Sequence, residues 1–189
     1  MVQIIHLNGY DFIGRKNTKM STATLEEIAE LRRLCTDYDL DGRQILDGYL
    51  NSELTHIYNG AGPDSWHDWS RKTLTDFMTL YKPVVLIHDV QFHESDGTLE
   101  TFNKVVADWK RNTRKIFDAE YPLWTWRMLR PSYRAERAYW YSVMQASNLG
   151  ISGDIAYAAW LDAYKRRLDK GEIARSQDCE IARYERNGQ

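Results

Sequence analysis

Hydrophobic positions recur along most of this chain at spacings of three and four, which predicts helices rather than strands. Leu25, Ile28, Leu31 and Leu34 form the first stripe, and "TLEE" ahead of it is a capping box, with Thr24 at N-cap and Glu27 at N3. Ile45, Leu46, Tyr49, Leu50 and Leu54 predict a second helix over 43–57, and Trp66, Trp69, Leu74, Phe77, Met78 and Tyr81 a third. Pro83 suits the first turn of the next. "VVLI" after it would serve equally well as a strand. Val85, His88, Asp89 and Phe92 on one helical face, with Gly97 as a stop, decide for a helix. Thr98 then caps a helix carrying Leu99, Phe102, Val106, Trp109, Thr113 and Ile116. "EYPLWTWRMLRPS" is a proline-bounded turn region. Two further helices are expected, from Ser132 to about Asn148 with Gly150 as a left-handed cap, and from Ser152 to Asp169 with a stop at Gly171.

The two ends differ from this pattern. "VQIIHL" can form a short strand and "NGYDFIGRKN" is rich in turn residues, so an irregular or β N-terminus is expected. Residues 176–189 form a charged tail. The expected fold class is mainly α: a single helical domain over residues 1–175, with an antiparallel helix pair at its centre.

Composition narrows the class. With 189 residues, 43% hydrophobic and 28% charged, a core is feasible without staples. The formal net charge of -2 gives no global pull towards nucleic acid or anionic lipid. Cys35 and Cys179 lie far apart, which implies no disulfide framework and fits a reduced setting. The N-terminus lacks the basic and apolar regions of a signal peptide, and no stretch reaches the roughly 20 apolar residues of a membrane span. These features together lead to the expectation of a cytoplasmic protein.

Two clusters of polar residues invite a chemical reading. Asp37, Asp39, Asp41 and Gly42 match the first half of an EF-hand loop. The twelfth position, where a bidentate Glu would close the site, is Gly48, and a solvated turn explains the acids as well. The second cluster is His88 and Asp89. Neighbours on a helix are about 100° apart, so both can border one cleft while serving different tasks. A neutral His can take a proton from water, and a carboxylate can hold a hard cation such as Ca2+. The glycine-bearing stretch "YNGAGPDSW", residues 58–66, could present backbone carbonyls to the same ion.

The sequence "NGAGP", followed by "IHDVQF" and a second helix, resembles the phospholipase A2 superfamily, and in particular small bacterial and phage proteins of the HD-helix type. A phage-associated uncharacterised family with "HD-x-x-Y … AD-x-x-F" helices is similar too. The resemblance covers residues 56–117 and extends towards 160. It implies that His88 is the general base and that Asp89 ligates calcium with the carbonyls of Tyr58, Gly60 and Gly62. It further implies that a lipid or small ester is hydrolysed. The sequence departs from the family in three ways. Neither helix carries the usual cysteines. Phe92 stands in place of a Tyr. The supporting Asp of the second helix falls near Asn103, which carries no charge; Asp108 is the alternative supporter, but on the other shoulder of the Phe102–Val106–Trp109 stripe. An active site, an inactive descendant and a structural histidine therefore all remain open.

"WTWRMLRPSYRAERAYWYS" interleaves Arg127, Arg130, Arg134 and Arg137 with Trp126 and other rings. Such a face suits phosphate contacts with base stacking or an anionic interface, and also a protein partner, because Trp, Tyr and Arg dominate binding hot spots. A non-catalytic phage or host interaction protein is therefore the alternative function. The competing explanation places the rings in the core and pairs the arginines with Glu120, Glu136 or Asp162. No P-loop, nucleophile elbow or Rossmann fingerprint occurs.

Overall fold

The computed structural model describes residues 23–58 and 78–172. The fold is all-α, with no strand among the described residues. Six α-helices are described: α1 (Leu25–Asp37), α2 (Asn51–Ile57), α3 (Lys82–His93), α4 (Leu99–Glu120), α5 (Pro131–Ile151) and α6 (Asp154–Asp169). Short 3₁₀ turns occupy Arg43–Gly48, Thr79–Tyr81 and Trp126–Leu129. No described helix is long and apolar enough to cross a membrane. The N-terminal strand, the helix expected from Trp66 and the tail lie outside the described residues, except that Met78 and Tyr81 are buried.

Local chemistry places the helix starts where the pattern puts them. Thr24 accepts the Glu27 amide at 3.1 Å, and Thr98 accepts that of Thr101 at 3.2 Å; each satisfies an amide that the first turn leaves without a partner. α6 ends in a Schellman motif at Gly171, with Glu172 N bonded to Arg167 O and Gly171 N to Leu168 O.

Two boundaries differ from expectation. The helix expected over 43–57 is broken: after the 3₁₀ turn, Tyr49 and Leu50 are extended, and Leu50 is 69% exposed. Glu53 reaches back to the Leu50 amide at 2.7 Å and Arg32 grips the Tyr49 carbonyl at 3.0 Å. Both groups are satisfied outside a helix, which stabilises the break. In the other departure, Gly150 is no left-handed cap, because α5 runs through it to Ile151 before Gly153 caps α6.

α3 is the central element. It packs against α1, α2, α4 and α6, and Val84, Val85, Leu86, Ile87 and Val90 are all buried. A helix enclosed on nearly every side loses its polar face, which is why "VVLI" reads ambiguously in sequence. α3 and α4, joined by residues 94–98, run antiparallel with His88 opposite Trp109 and Gln91 opposite Asp108.

Candidate functional site around His88

α3 directs His88 and Asp89 to the edge of the core, where their side chains are 15% and 9% exposed. The His88 ring sits between Phe92, one turn on, at 4.1 Å between centroids, and Trp109 of α4 at 5.0 Å. Nδ1 lies 3.6 Å from Asp89 Oδ1. Although consecutive on the helix, the two side chains lean together, so the carboxylate lies beside the imidazole rather than on a separate flank. Nε2 is buried without a hydrogen-bond partner, as are the indole nitrogens of Trp109 and Trp160. Phe92 links the His88 ring to that of Trp160, 5.2 Å away.

The second helix does not supply the expected support. Asn103 is exposed on α4. Asp108 is buried, but its carboxylate accepts from Gln91 Nε2 at 3.2 Å and from Arg111. The register that sets Gln91 against Asp108 puts an indole, not a carboxylate or amide, against His88. Trp109 was legible in sequence as part of the α4 stripe, but nothing in the sequence paired it with His88.

A cleft of about 410 Å³ opens beside Asp108, between α3, α4 and the Arg43–Gly48 turn, with Gln91, Glu94, Lys104 and Trp160 among its lining residues. His88 is not among its lining residues.

Tyr58 is buried at the end of α2, while Gly60 and Gly62 lie outside the described residues. Among the described residues no group of three His, Cys, Asp or Glu side chains could hold a metal ion. The acidic turn is consumed by cations. Asp37 pairs with Arg33, Asp39 with Arg43 at 2.6 Å, and Asp41 with Arg111 at 2.7 Å and Lys115 at 2.8 Å. Lys115 and Arg111 together hold the Asp41 carboxyl below the usual carboxylate range.

The Arg- and Trp-rich segment is divided between core and surface. Tyr133 is buried, whereas Trp124 is 98%, Leu129 84% and Trp126 64% exposed. Arg130 stacks 4.3 Å above the Trp126 ring and Arg127 lies 5.6 Å from that of Tyr133. Arg137 turns inward over Phe117 at 4.8 Å and donates to the Tyr121 carbonyl. The acids proposed for these arginines are engaged elsewhere. Glu120 accepts from Tyr38, Glu136 accepts from Tyr121, and Asp162 lies near Lys165.

No family model matches this chain, and neither a curated protein nor a solved structure matches it.

Proposed function

We propose that this chain is a phospholipase A2-like protein of phage or prophage type that hydrolyses a lipid or small ester in the cytoplasm with water activated by His88. The observation that supports this reading is the pairing of His88 Nδ1 with the Asp89 carboxylate at 3.6 Å, which leaves Nε2 without a hydrogen-bond partner. A neutral His88 carrying its proton on Nδ1, towards Asp89, would leave Nε2 as the acceptor that can take a proton from water. Phe92 and Trp109 fix the ring; Nε2 is buried and His88 does not line the cleft, so the reading requires these rings to part and admit the attacking water. Asp89 is a hard oxygen donor of the kind calcium takes, and the carbonyls of Tyr58, Gly60 and Gly62 would complete such a site. The ion would polarise the ester carbonyl. Asn103 and Asp108 take no part in this version of the site.

The test is hydrolysis of dispersed short-chain phosphatidylcholine and of a p-nitrophenyl ester, with calcium or with chelator. His88→Gln is expected to lower the rate by about 10²–10⁴-fold. Calcium is expected to raise the melting temperature of the wild type, and Asp89→Asn to abolish that rise. A wild type that neither hydrolyses the substrates nor responds to calcium overturns the reading.

A second reading, a non-catalytic protein that binds a phage or host partner, is favoured by the exposed Trp124, Trp126 and Leu129 beside Arg127 and Arg130.

A further inference from the structure

We infer that the turn between α4 and α5, with the first turns of α5, is a docking surface for an acidic, partly apolar segment of another protein. The inference rests on the second reading above and names the chemistry of the partner. It is independent of His88.

Charge gives the first argument. Residues 121–137 carry Arg127, Arg130, Arg134 and Arg137 against the single acid Glu136, in a chain whose net charge is -2. Glu136 accepts from the Tyr121 hydroxyl, and none of the four arginines makes an ion pair with another described residue. Among the described residues the positive charge of Arg127, Arg130 and Arg134 is therefore uncompensated, while Arg137 is turned inward, and a carboxylate-bearing partner complements the three.

The arrangement of the rings gives the second. The Trp126 ring is covered on one face by the Arg130 guanidinium. Stacking holds the guanidinium plane while leaving its N–H edge free for a bidentate carboxylate. Trp124, Leu123 and Leu129 are exposed alongside, forming the apolar centre that a hot spot needs around a desolvated Arg–carboxylate pair.

The same stacking argues against a bilayer. An interfacial anchor separates apolar side chains at one depth from cations at another. Here the cation lies on the ring, so inserting Trp126 into hydrocarbon would carry the Arg130 charge with it. A nucleic-acid tract would need a longer basic groove than this one segment supplies.

The experiment selects random twelve-residue peptides on a display library against the immobilised full chain, then measures affinities of the selected peptides by calorimetry. Enrichment of Asp and Glu next to apolar residues is expected. Arg130→Ala and Trp126→Ala should each weaken the selected peptides at least tenfold with unchanged circular dichroism, and raised salt should weaken binding to the wild type. Two comparison arms use vesicles of phosphatidylglycerol and a thymidine oligonucleotide. Selection of uncharged or basic peptides that still depend on Trp126 would overturn the acidic class while sparing the partner-binding reading. No enrichment, binding indifferent to both substitutions, or tighter binding to either comparison probe would overturn both.

Discussion

Asn112, buried on α4, holds the backbone of Asp41 with both ends of its amide. Its Oδ1 accepts the Asp41 amide at 2.7 Å and its Nδ2 donates to the Asp41 carbonyl at 2.9 Å, across 71 residues of sequence. This reciprocal pair fastens the turn after α1 to the central helix pair. Asn112→Ala leaves two backbone groups unpaired and is expected to cost about 2 kcal/mol. A shift of the urea midpoint without a change in slope would confirm this, and an unshifted midpoint would refute it.

The side chain of Asp41 makes acid stability depend on the same turn. Lys115 and then Arg111 hold its carboxyl low. A depressed value in the folded state means that the unfolded chain binds the proton more readily. The stabilisation is therefore full above the ordinary carboxylate range, roughly pH 4, and is lost as the pH falls below it. Urea midpoints measured from pH 6 to pH 2 should fall less for Asp41→Asn than for the wild type, and parallel curves would count against the pairing.

Two glycines should respond to alanine in opposite directions. Gly97 has φ +73°, and a Cβ there would lie 2.6 Å from a ring carbon of Tyr164. Left-handed strain and the clash together are expected to cost about 2–4 kcal/mol. Gly150 is helical with open space around it, so Gly150→Ala is expected to stabilise by about 0.5 kcal/mol. Thermal melts of the two variants should bracket the wild type.

Cys35 is buried, and desolvation pushes its thiol up to about 12. Its Sγ donates to the Pro83 carbonyl at 3.3 Å, tying α1 to the start of α3. In a Cys179→Ser background, Cys35 should resist Ellman's reagent at pH 8 until denaturant is added. Rapid labelling of the folded protein would contradict the packing of α1 on α3.

The two acid–amide candidates on α4 should separate cleanly. Asn103 is exposed, so Asn103→Ala is expected to change stability by less than about 0.5 kcal/mol and to leave any His88-dependent hydrolysis intact. Asp108→Ala removes the buried carboxylate that Gln91 and Arg111 share; Gln91 is half-buried and Arg111 keeps Asp41, so the expected cost is about 1 kcal/mol. Equal effects in denaturation would mean that the α3–α4 register is wrong.

The sequence by itself determined what neighbours in the chain can decide. Thr24 and Thr98 cap α1 and α4 because each hydroxyl needs only an amide three residues on. The α4 stripe from Phe102 to Ile116 is buried as its spacing requires. Only the tertiary structure decided which residues meet across elements. A shift of one residue rotates a helical position by about 100°, so spacing alone could not tell whether Asn103, Asp108 or Trp109 faces His88. Packing of α3 against four helices and the short 94–98 connection set that register and chose Trp109. Distant cations likewise decided Asp41, because Lys115 and Arg111 arrive from α4, seventy or more residues away, to occupy its carboxylate, whereas Asp37 and Asp39 pair with Arg33 and Arg43 one turn away in sequence.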